Sequence, residues 1–72
     1  MQHAEDIRKT ILKVADEYGT EKTFMPADVA RKIDKKNWRG LIHQVAFVAE
    51  VMFKEGKILL TKPNGEVLYR KV

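Results

Sequence analysis

The chain has neither cysteine nor serine among its 72 residues. Without cysteine there are no disulfides, so packing alone must hold the fold, and nothing points to an oxidising, exported setting. The two absences together exclude the serine and cysteine nucleophiles of covalent hydrolases. Histidine is scarce, with only His3 and His43, and no cysteine–histidine zinc site can be assembled within one chain from so few ligands. Gly19, Gly40, Gly56 and Gly65 fit no phosphate-cradling loop. No apolar run approaches the roughly 20 residues of a membrane crossing. Met1 to Ala4 lacks the basic and apolar stretches of a signal peptide. Acidic neighbours such as Asp16 and Glu17 point in different directions on a helix. The expectation is a cytoplasmic binding domain that is not an enzyme and carries no cofactor or metal.

What is present suits one small folded unit spanning residues 1–72. The apolar fraction of 44% is too high for a disordered chain, despite 33% charged residues. Ala4, Ile7, Ile11, Val14 and Tyr18 recur at helical steps, widened by Leu12 and Ala15. Glu5 and Asp6 suit the start of that helix, and Gly19 its end. Thr23 and Phe24 favour a short strand. Pro26 opens a second helix, to about Ile33, with Val29, Ala30 and Ile33 inward. Asp34 or Asn37 can cap a third helix, from about Asn37 to Glu55. There Trp38, Leu41, Ile42, Val45, Val48, Ala49, Met52 and Phe53 make the inward stripe.

After Gly56 the period changes from helical to extended. Lys57–Thr61 and Val67–Val72 flank Lys62-Pro63-Asn64-Gly65, and Asn-Gly between apolar runs signals a hairpin. A four-residue loop would set Leu60 opposite Val67 and Ile58 opposite Tyr69. A two-residue loop would set Ile58 opposite Lys71, and the first register is the one expected. Ile58, Leu60, Val67 and Tyr69 would face the helices, because a hairpin alone is marginal and must dock. The fold class is therefore α+β, a winged helix-turn-helix of three helices with a C-terminal β-hairpin wing.

Three segments carry a resemblance: Pro26-Ala27-Asp28-Val29-Ala30-Arg31, Asn37-Trp38-Arg39-Gly40-Leu41-Ile42 and Glu55-Gly56-Lys57-Ile58. From about Thr23 to Thr61 the chain resembles a bacterial family of short uncharacterised winged-helix proteins, a domain of unknown function. Its pattern reads roughly Pro-Ser-Asp/Glu-Val-Ala-Arg, Asp-Trp-Arg-x-Leu-Met, then Glu-Gly-x-Ile. The resemblance implies the fold and little about activity. In that pattern the middle of the third helix carries several arginines, whereas Ala46–Val51 here has no basic residue and contains Glu50.

Charge divides the chain. Residues 1–28 carry a net −2 and residues 29–72 a net +6. The basic part holds the third helix and wing, where a phosphate-backbone reader would place its cations. Lys35, Lys36, Arg39, His43 and Gln44 lie at or near the start of the third helix, the end from which helix-turn-helix proteins read bases. Arg39 suits guanine and Gln44 adenine. Lys62 and Asn64 sit at the wing tip. Nucleic acid, with DNA favoured over RNA, is the first expected partner. The bland alternatives are solvated charges, Arg39 stacked on Trp38 or paired with Asp34, and Trp38 as a core anchor.

The competing feature is apolar. Phe47 and Val51, one turn apart, lie off the inward stripe on the face shared with His43, Glu50 and Lys54. A helix apolar on more than one face is deeply buried or meets a partner, so the alternative is a protein-interaction or homodimerisation module. One observation separates the two: a covered Phe47 with cations gathered on one surface favours nucleic acid. Phe47 and Val51 open beside Glu50 favour a protein.

Overall fold

A computed structural model describes residues 4–72. His3 and the reading of the first residues as no leader lie outside the described part. Helix α1 spans Ala4–Tyr18, strand β1 Thr23–Phe24 and helix α2 Pro26–Ile33. Then come a 3-10 turn at Trp38–Leu41, helix α3 at Ile42–Lys54, strand β2 at Ile58–Thr61 and strand β3 at Leu68–Lys71.

Local chemistry accounts for the first boundaries. Gly19 closes α1 with φ +81°, its N–H donating to the Ala15 carbonyl at 2.9 Å, a left-handed position that glycine occupies without steric cost. Pro26 opens α2, and the Asp28 carboxylate accepts the Met25 N–H at 2.9 Å. The third helical segment differs from expectation. Its first turn is 3-10, and the α-helix proper begins only at Ile42. Gly40, poor in helix propensity, sits in that turn, and its N–H bonds to the Asn37 carbonyl at 3.1 Å.

The strands form one antiparallel sheet in the order β1-β3-β2. Its register overturns the one expected: Ile58 pairs with Lys71, Leu60 with Tyr69 and Thr61 with Leu68. The reason lies at the tip. Asn64 (φ +54°) and Gly65 (φ +83°) both take positive φ, and the Glu66 N–H closes on the Pro63 carbonyl at 3.0 Å. Those are the central residues of a two-residue turn. Residues 62–67 stay outside the paired strands, the tip bounded by Pro63, which has no N–H to give a ladder. The two registers differ by two residues, so both keep the same side chains inward. Alternation alone could not choose between them.

The core gathers Ile7, Ile11, Val14 and Ala15 of α1, Val29 and Ala30 of α2, and Val45, Val48, Ala49 and Met52 of α3. Phe24, Ile58 and Tyr69 add the sheet. Trp38, Leu41, Ile42, Ile33, Leu60 and Val67 pack on its margin, half-buried. Phe53, expected inward, is exposed instead, as is Leu12. Surface ion pairs tie elements together: Arg8 to Glu55 at 2.8 Å, Lys71 to Asp16 at 2.8 Å, and Lys32 to Glu17. Exposed pairs of this kind contribute little each.

Tyr69 is fully buried, and its hydroxyl meets no hydrogen-bond partner among the described residues. Burial first, and the Glu50 charge second, push its pKa up to about 12. An unpaired buried hydroxyl costs about 1–3 kcal/mol, so Tyr69→Phe is expected to leave stability in urea unchanged or raise it within that range at pH 7. The raised value keeps the proton on in the folded state, so this contribution is complete below pH 10 and is lost as pH rises through about 12. The wild type should therefore lose stability across that alkaline window more steeply than Tyr69→Phe. A loss of stability in the variant at pH 7 would show that the hydroxyl has an acceptor.

Candidate interaction surfaces

Two surfaces emerge around the third helical segment. The first is the corner between α2 and the 3-10 turn. Asp34 shapes it: its Oδ1 accepts the Lys36 N–H at 3.0 Å and the Asn37 N–H at 3.1 Å. Neither of the two expected caps therefore acts on the third helical segment: Asp34 bonds amides of the turn before Trp38, and Asn37, at the N-cap position, makes no side-chain cap bond. The Asn37 amide first, and the Lys36 amide second, hold the Asp34 carboxyl below its ordinary value of 3.8.

This corner presents Lys35, Lys36 and Arg39 to solvent. Among the described residues none of the three pairs with an acidic side chain, whereas Arg8, Arg31, Lys32, Lys54 and Lys71 do. Arg39 has another neighbour. Its guanidinium carbon lies 4.5 Å from the Trp38 ring centroid, and that of Arg31 lies 4.4 Å away. Both contacts are within cation–π range. Trp38 thus does two jobs: it packs on the core margin and holds two guanidiniums at its ring. Arg31 is not among the expected contact residues; an arginine on the preceding helix meets Trp38 only through the α2–turn packing.

The second surface is the outer face of α3. Phe47 is 69% exposed and Val51 36% exposed, beside exposed Glu50 and a Lys54 whose Nζ lies 3.9 Å from Glu50. Neither α1 nor the hairpin covers Phe47. Next to it lies an open groove of about 310 Å³ between α1 and α3, lined by Ala4, Ile7, His43, Gln44, Phe47 and Val48. His43 and Gln44, expected to serve with the cationic corner, thus border an apolar groove with Phe47. A further cleft of about 300 Å³ separates α3 from the hairpin, with Phe53, Leu60 and Val67 among its walls and Lys62 at its edge. Asn64 forms the hairpin turn itself. The expected nucleic-acid set is thereby divided among a corner, a groove wall and a hairpin tip. The grooves were not visible in the sequence because each forms only where two distant elements cross.

These features define an α+β domain whose three helices and antiparallel sheet fit a winged helix. The chain matches, over residues 4–71, the family described as Protein of unknown function (DUF3253), and it belongs to that family. No curated protein and no solved structure matches it. Among the described residues no helix is long and apolar enough to cross a membrane.

The Asp34 turn carries its own test. The carboxylate supports the corner when ionised, so this stability is present above the ordinary carboxylate range and is lost as pH falls through the lowered value. Asp34→Ala should reduce the melting temperature at pH 7, and the difference from wild type should shrink toward nothing in strong acid. A difference independent of pH would remove the charged turn as its cause.

Proposed function

We propose that this domain is a protein-interaction module of winged-helix type, not an enzyme, and that the outer face of α3 is its contact surface. One observation carries the reading: Phe47, at 69% exposure, stands open in the middle of the helix that would otherwise read a DNA groove. Single exposed apolar residues are ordinary. Phe47 differs because Val51 lies one turn on and an apolar groove adjoins it, a contiguous patch of the kind that marks contact surfaces. Glu50 on the same face opposes a phosphate backbone. Photo-cross-linking from p-benzoylphenylalanine at position 51, in extract of cells that make the chain, should give a discrete protein adduct. The same probe at position 13, on α1, should give none. Equal smears from both positions, or no adduct, would remove the reading.

A second reading has its own support. Lys35, Lys36 and Arg39 are exposed without acidic partners among the described residues, and Lys62 is likewise unpaired at the wing. Such a set suits a phosphate backbone, DNA before RNA. If these four cations each neutralise a phosphate, affinity for a labelled duplex should fall by about two orders of magnitude between about 50 and 200 mM salt. Lys35→Glu with Lys36→Glu should abolish binding at the lower salt. Absence of wild-type binding there would dismiss this reading.

A further inference from the structure

We infer that the cleft between α3 and the hairpin binds a small organic acid, its apolar body between Phe53, Leu60 and Val67 and its carboxylate held by the Tyr69 hydroxyl and the Lys62 ammonium. The inference stands apart from the reading of the α3 outer face and needs no protein partner. A cleft beside a hairpin is ordinary by itself. The Tyr69 hydroxyl singles this one out. Tyr69 is fully buried and forms part of the cleft wall, yet its hydroxyl has no hydrogen-bond partner. No other buried side-chain polar atom among the described residues is left so. The Tyr69 ring packs on Phe24 of β1 at 5.6 Å. Burial first, and the Glu50 charge second, hold the proton on the hydroxyl at neutral pH, so the group is a donor in want of an acceptor. That Glu50 acts on it sets the hydroxyl end toward the cleft, because Glu50 is one of the cleft's walls.

Charge and size decide the ligand class. Three charged side chains line the cleft: Glu50, Lys54 and Lys62. Glu50 and Lys54 lie 3.9 Å apart and offset each other. Lys62 has no acidic partner among the described residues. One positive charge therefore stands uncompensated at the cleft, which a carboxylate matches and an ammonium does not. A carboxylate has two oxygens, so one group can accept from the phenol and from the flexible Lys62 ammonium together. All three charged side chains are exposed. Exposed side chains change rotamer within nanoseconds, so the lip can adjust to a ligand that reaches the buried hydroxyl. The remaining walls, Phe53, Leu60 and Val67, are apolar and suit an apolar body. The cleft holds about 300 Å³, at the lower end of small-molecule sites. A cavity of about 150 Å³ already takes benzene, so a single ring or branched chain bearing a carboxylate fits.

Titration of the whole chain with benzoate, phenylacetate and isovalerate, followed by backbone amide NMR shifts, tests this. At least one acid should give saturable shifts at millimolar concentration, centred on Ala46, Phe53, Val67 and Tyr69. Benzylamine, of similar shape and opposite charge, should give none. Tyr69→Phe keeps the ring and removes only the hydroxyl, and it should weaken binding by about tenfold, the loss of one charge-assisted hydrogen bond. Lys62→Gln, on the exposed lip, should weaken it by a similar factor, and both variants should keep the circular dichroism of the wild type. No saturable shift with any of the three acids overturns the inference. So does equal binding of benzylamine, or full affinity in either variant. Shifts centred on Lys35 and Lys36 overturn it too, since they would make the acids counter-ions of the cationic corner.

Discussion

The burial of Tyr69 is the constraint on which the rest of this structure depends. Tyr69 sits on the central strand of a three-stranded sheet, opposite Phe24 on one side and Leu60 on the other. Its ring meets that of Phe24 at 5.6 Å between centroids, and Phe24 in turn meets Tyr18 at 5.7 Å. These tilted contacts suit the aromatic quadrupole. They join the end of α1, a strand of two residues and the hairpin into one body. A hairpin alone would be marginal. Tyr69 anchors it to the helices, and that anchoring fixes where the hairpin tip and the cleft beside α3 lie. The hydroxyl is carried into the core with the ring, and the packing of the ring sustains it there.

From that frame follows the separation of the two surfaces. The corner before α3 concentrates cations because Asp34 turns the chain tightly there, directing its charge at backbone amides. The outer face of α3 then runs away from the corner, opposite Val45, Val48, Ala49 and Met52, which face the core. Phe47 cannot join them: two residues from both Val45 and Ala49, it lies on the far side of the helix from that pair. Among the described residues no further element remains to cover the outer face. The apolar surface there is a consequence of size as well as of sequence.

Trp38 shows how the bland reading of a residue and the functional one can coincide. It anchors the core margin, as its helical spacing suggests, and holds Arg31 and Arg39 over its ring. Arg39 thus meets the alternative of a stacked arginine, not one paired with Asp34. A stacked guanidinium keeps its edge donors available, so stacking narrows the orientations of Arg39 without removing its charge.

Much of the fold was legible in residue order. The bounds of α1 and α2, the short strand at Thr23 and Phe24, and the positive φ at Asn64 follow from local preferences: periodic apolar positions, a proline that opens, a glycine that closes, and a turn pair. The 3-10 start of the third segment was not legible, because the Trp38–Leu41 spacing suits either helix type over so few residues. The hairpin register was not either, since a shift of two preserves every inward side chain. Sequence alone determined which residues are apolar or charged and how far apart they lie along the chain. Tertiary structure alone decided that Arg31 joins Trp38, that Phe53 stands outside the core, and that a groove opens beside Phe47, because each depends on how helices distant in sequence cross, and local periodicity carries no information about crossing.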